Sequence, residues 1–287
     1  MSRRHPAVSG LLGALFTLGL LAVAVLGVVY ALDASRPVRV VEICRSDVDG
    51  VPWTLQLDQA DNAALVVGTT LRRELPARAA TIGLATALQE SKLRNIDYGD
   101  RDSLGMFQQR PSQGWGTPEQ IMDPVYSTGL FYDHLVRVPG WQDLPITEAA
   151  QAVQRSAFPD AYGRHEGRSR AWASGLTGHS PAAVTCTLRA PSGTGTADGV
   201  RARLLRDLGD LPVDTPAPGV VVVDARPLGP PDQADRMAWA VAQWAVVVAH
   251  SQHLTEVQVG DHRWTRTGTW ESAEDPPAPG TVRLTLA

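Results

Sequence analysis

Glu90 stands near the end of a segment, 77–94, that reads as a helix with Ile82, Leu84, Ala85, Leu88 and Leu93 covering all sides of its wheel. A helix apolar all round is a buried one. A carboxyl group there is either paired with a cation or kept neutral by desolvation, which raises its pKa. A raised carboxyl is the group needed to protonate a glycosidic oxygen near neutral pH. The helix alone leaves the alternative that Glu90 lies at an exposed helix end, paired with Lys92, Arg94 or a turn amide. Close behind it comes "SLGMFQQRP", residues 103–111, a tight turn ending at proline. In it Gly105 permits close backbone approach, and Gln108 offers both a donor and an acceptor. Between the two lies "NIDYGDRDS", where Asp97, Asp100 and Asp102 either supply a second carboxylate or make turns. A calcium loop is not expected there, because the spacing lacks the EF-hand glycine and terminal glutamate.

These two motifs, in this order and at this separation, resemble the soluble lytic transglycosylase domain of the lysozyme-like superfamily. Glu90-Ser91 matches that family's catalytic Glu-Ser, and 103–111 matches its Ser-x-Gly-Leu-Met-Gln-x-x-Pro turn. The resemblance covers roughly residues 75–176. The chain is also similar to secreted or membrane-anchored actinobacterial proteins sharing "YGDRDSLG-FQQRPSQGWGT" and "AVQRSAFP". It implies a lysozyme-like helical fold, peptidoglycan glycan strands as substrate, no cofactor, and Glu90 as the single acid and base. Substrate contacts are then expected at Ser91, Tyr98, Ser103, Gly105, Met106, Gln108 and Gln154. The family's third motif, Ala-Tyr-Asn-Ala-Gly, places a Tyr against the acid. Its counterpart is read at Ala152-Val153-Gln154-Arg155-Ser156, which has no Tyr, with Gln154 replacing the Asn and Arg155 set near Glu90. An arginine there would lower the Glu90 pKa. Two other readings follow: a glycan-binding scaffold without turnover, and a muramidase that uses one of the loop aspartates.

The elements that must position these residues are mostly helical. Strands are expected at 38–44 and 53–57 around Asp49-Gly50, and helices at 59–73, 77–94, 124–136, 147–157 and 164–176. Prolines fall at the boundaries, and Thr147 is the expected N-cap of its helix. "APSGTGTADG", 190–199, reads as a linker. Beyond it the pattern predicts a helix at 200–208, a buried strand in "GVVVVDA", a long helix at 232–253 carrying Trp239 and Trp244 as core, a hairpin at 256–267 and a last strand at 281–286. The expected fold class is mainly α: a lysozyme-like domain at 36–189 and a small α+β accessory domain at 200–287.

The N-terminus sets the expected compartment. A tail at 1–9 with Arg3, Arg4 and His5 precedes an apolar run at 10–32, about the roughly 20 residues that span a bilayer. Positive charge on the short side places the remainder outside the cytoplasm. There the only two cysteines, Cys44 and Cys186, are expected to form a disulfide. With 26 basic and 30 acidic residues the net charge is −4, which excludes an electrostatic footprint for nucleic acid. His134, His165, His250 and His253 show no metal-binding spacing, and no Gly-x-Ser-x-Gly elbow offers a serine nucleophile. Tyr98, Trp115 and Tyr126 are candidate sugar-stacking rings or ordinary packing.

Overall fold

The computed structural model describes residues 6–34, 40–48, 50–156 and 158–287. The chain divides into two units, Met1–Val40 and Val41–Ala287. In the first, Pro6–Ala34 is a helix, α1, whose described side chains, at 16–30, are all exposed. Among the described residues no helix is long and apolar enough to cross a membrane. Residues 1–5 of the expected tail and 38–39 of the expected first strand lie outside the described residues.

The second unit runs β1 (Ile43–Val48), β2 (Val51–Leu55), α2 (Leu57–Arg72), α3 (Ala77–Ser91), α4 (Pro118–Met122), α5 (Pro124–Leu135), α6 (Ile146–Gln154), α7 (Glu166–Leu176), β3 (Val184–Thr187), α8 (Ala197–Asp207), β4 (Val213–Ala217), β5 (Val220–Asp224), α9 (Ala234–Val248), β6 (Leu254–Val259), β7 (His262–Thr265), β8 (Trp270–Ser272) and β9 (Thr281–Leu286). Among the described residues the fold is mixed α/β with two antiparallel sheets, not mainly α. One sheet has the order β2-β1-β3 and the other β4-β5-β9-β6-β7-β8.

The expected hairpin thus gains a third strand. β3 comes from "VTCT", whose β-branched residues sit opposite β1 so that Cys44 and Cys186 are register partners. The two cysteines form a disulfide across a sequence separation of 142 residues. Helix α6 begins at Ile146 behind Pro145, so Thr147 lies inside the helix rather than capping it. Residue 157, at the end of the helix expected there, is outside the described residues.

Residues 190–199 do not separate two bodies, since Val41–Ala287 is one compact unit. Helix α9 is buried along almost its whole circumference, including Trp244, and packs on α2, α7, β3 and β6. Its buried Gln243 accepts a bond from the Val184 N–H (2.7 Å) and donates to the Gly175 and Ser180 carbonyls (2.7 and 3.1 Å). Arg203 of α8 reaches Asp61 of α2 at 2.8 Å and Asp207 at 2.7 Å. Trp239 packs edge-on against His262 and Trp270, so both tryptophans of α9 belong to packing.

Candidate functional site

Helix α3 carries Glu90 in its last turn, against α7, α6 and α2. The helix stops after Ser91, short of the expected residue 94, because Lys92 and Leu93 both take left-handed backbone (φ 57° and 61°). Their N–H groups bond back to the Leu88 and Ala87 carbonyls at 3.1 and 2.8 Å, a Schellman-type ending in which the fully buried Leu93 provides the apolar contact. This ending fixes Glu90 one residue from a sharp reversal of the chain.

The turn at 103–111 is fastened to that helix end. Leu104 and Gln109 exchange backbone bonds of 2.9 Å in each direction. Gly105 has φ +76° and donates to the Ile96 carbonyl at 2.7 Å; a Cβ there would stand 2.9 Å from the Ile121 carbonyl oxygen. Ser91 is buried, its hydroxyl donating to the Met106 carbonyl (2.8 Å) and accepting from the Arg94 N–H (3.1 Å). Ser91 therefore joins the two motifs and offers no free hydroxyl, contrary to its expected role as a substrate contact. Ser103 and Met106 are likewise buried and act from behind the surface. Gln108, also left-handed at φ 48°, is half-buried and donates to the Tyr98 and Gly105 carbonyls (3.3 and 3.2 Å). Gly99 makes that contact possible, since a Cβ on it would come within 1.9 Å of the Gln108 Oε1. Tyr98 is 70% exposed.

Glu90 is half-buried and has two neutral partners. The Tyr162 hydroxyl donates to its Oε1 at 2.6 Å, and the Gln154 side chain also bonds the carboxylate. Gln154 donates as well to the Phe107 carbonyl at 2.7 Å, closing a ring of Glu90, Ser91, the 103–109 turn and α6. Burial is the largest influence on the Glu90 carboxyl and raises its pKa, with the bonds from Tyr162 and Gln154 pulling the other way. No charged neighbour is among these causes. Tyr162 is fully buried, and burial together with the adjacent Glu90 charge holds its phenol far above the usual value, so it acts as a fixed donor.

Tyr162 corrects the expectation that no tyrosine stands at the acid. It arrives on a 3-10 segment, Pro159–His165, beyond the stretch read as the third motif. That segment is tied to α3 through Gln89, whose Oε1 accepts from Arg164 (2.7 and 3.1 Å) and faces His165 Nε2 at 3.2 Å. The signal in the sequence is Ala161-Tyr162-Gly163, an aromatic between two small residues in an otherwise polar run. Arg155 also departs from expectation. It ends α6 with left-handed backbone (φ 51°) and is exposed, beside His134 rather than Glu90.

Asp102 is held by the Ser112 N–H (2.8 Å), the Ser112 hydroxyl (3.0 Å) and Arg110 Nε (3.0 Å), which keep its carboxyl well below the usual range. It is a turn-maker, and Asp97 and Asp100 are exposed on the same loop. Five of the eight non-glycine residues with positive φ among the described residues, Lys92, Leu93, Arg101, Gln108 and Arg155, lie on the segments framing Glu90. Such strained backbone concentrates at functional sites. Trp115 is half-buried and stacks on His134, while Tyr126 packs its hydroxyl against Gly116. A cavity of about 790 Å³ lies elsewhere, lined in part by Arg72, His179, Asp210 and Arg236, and no expected site residue borders it. Among the described residues no cluster of three His, Cys, Asp or Glu could hold a metal. No model of a known protein family matches the chain, and no curated protein matches its sequence.

Proposed function

We propose that the chain cleaves the β-1,4 bond between N-acetylmuramic acid and N-acetylglucosamine in peptidoglycan, as a lytic transglycosylase with Glu90 as its acid and base. The observation that carries this reading is the half-buried, upward-shifted Glu90 carboxyl, bonded among the described residues by the neutral Tyr162 and Gln154. A carboxyl so placed holds a proton at higher pH than an ordinary one, as a general acid must. Glu90 gives that proton to the glycosidic oxygen as the bond from C1 breaks. The resulting carboxylate takes the proton of the muramic acid 6-hydroxyl as O6 bonds to C1. A 1,6-anhydro end forms, no water is consumed, and the acid is regenerated.

Hydrolases normally need a second carboxylate. Asp102, with its oxygens taken by Ser112 and Arg110, offers little support for a muramidase. A tyrosine at the acid, Tyr162, supports turnover over a glycan-binding scaffold. The family resemblance of the Glu-Ser and Ser-x-Gly motifs supports the same activity. We further propose that α1 anchors the chain in the cell membrane with the remainder outside. The positive flank at Arg3, Arg4 and His5 supports this, as do apolar side chains exposed along 16–30.

Mass spectrometry of muropeptides after incubation of purified cell walls with the protein tests the reaction. Anhydro ends are expected. Reducing ends would replace the transglycosylase reading with a muramidase, and intact strands with bound protein would replace it with a scaffold.

A further inference from the structure

A groove of about 600 Å³ adjoins the Glu90 cluster and shares Gln154 with it. On one wall the Trp115 ring stacks on the His134 imidazole, with centroids 4.4 Å apart and planes tilted by 32°. Burial, Arg137 and Arg155 lower the His134 pKa against the opposing pull of Asp133, so the ring is neutral near pH 7 and stacks without a charge of its own. Arg137 and Arg155 line the same groove, and no carboxylate does. Both arginines are exposed, and among the described residues neither makes an ion pair. Elsewhere in this unit arginines commonly have acidic partners, as with Arg73–Asp133, Arg94–Asp58 and Arg110–Asp102. Arg155, with left-handed backbone at the end of α6, lines this groove and is not among the groups acting on Glu90.

We propose that the groove reads an anionic substituent of the glycan, with the apolar face of a sugar on Trp115 and a carboxylate or phosphate on Arg137 and Arg155. The inference rests on the glycan reading of Glu90 and adds its substrate class: a charged rather than a neutral polymer. A guanidinium binds either oxyanion through paired N–H donors, which a lone aromatic platform cannot do. Its position beside Gln154 places the charge readout next to the bond that Glu90 would protonate.

The test is co-sedimentation with purified cell-wall sacculi in three forms: untreated, carboxyl-amidated, and stripped of phosphate-linked polymer. The Arg137→Gln/Arg155→Gln double variant is expected to bind untreated sacculi at least about tenfold more weakly than the unmodified protein, with an unchanged melting temperature. Whichever treatment reproduces that loss identifies the anion as carboxylate or phosphate. Affinity of the unmodified protein should also fall with salt, and that of the double variant much less. If the double variant binds as the unmodified protein does while sacculi are still cleaved, this inference fails and the glycan reading stands. If no form of sacculus is bound or cleaved, the glycan reading fails and takes the inference with it.

Discussion

Glu90 and Asp207 both lie at the carbonyl end of a helix, where the backbone dipole disfavours an anion. Both are withdrawn from water, yet their neighbours differ in kind. Asp207 is fully buried and meets Arg203 at 2.7 Å, the Trp244 indole N–H at 2.9 Å and Arg206 at 3.6 Å, while Arg203 also holds Asp61. Its charge is neutralised where it stands, and the network fastens α8 to α2 and α9. Glu90 has a phenol and an amide, which stabilise a charge without cancelling it. The type of partner, more than the depth of burial, separates a carboxylate that holds the fold from one that can trade a proton.

Breaking the structural carboxylate should have the largest effect on stability. Arg203→Met leaves Asp207 buried without its main counter-charge and should cost about 3–5 kcal/mol, read by denaturant unfolding, with cleavage per folded molecule unchanged. Removing the disulfide comes next. The double substitution of Cys44 and Cys186 by Ser should cost about 2–5 kcal/mol, and thiol labelling of the unmodified protein should find no free cysteine before reduction. On the chemical side, Tyr162→Phe removes one charge-assisted bond and should slow turnover about ten- to a hundredfold. The carboxylate loses a donor, so the alkaline limb of the pH–rate profile should move upward; an unmoved limb would mean that Tyr162 is only packing.

Much of the site can be read from sequence because it depends on short-range pattern. An apolar wheel interrupted by Glu90 and a Ser-x-Gly turn at short separation are local features, and so are the turn-making aspartates. Tyr162 escapes such reading because a seven-residue 3-10 segment carries no helical periodicity, and its contact with Glu90 spans 72 residues. The place of Arg155 follows from a left-handed end to α6 at a residue that carries no glycine signal. The unity of 41–287 is concealed by the Gly/Ser/Thr composition of 190–199. The sign against a boundary was α9 itself, apolar on nearly every face, as a helix must be when it packs on both a sheet and other helices.

Glu90→Gln measures the difference between the two carboxylates most directly. Glutamine keeps the shape and the bonding capacity but has no transferable proton, so turnover should fall by about 10²–10⁴. The stability of the same variant carries an independent sign. Below the ordinary carboxyl pKa of 4.5 Glu90 is protonated whether folded or unfolded, and its burial costs nothing extra. As pH rises past 4.5 the unfolded chain releases the proton first, so the wild type loses stability until the raised folded pKa is passed, and the loss then persists. The variant should therefore match the wild type near pH 4 and exceed it in melting temperature at pH 7, while cleaving almost nothing. A lower melting temperature at pH 7 with turnover per folded molecule intact would make Glu90 a structural carboxylate like Asp207 and contradict this account.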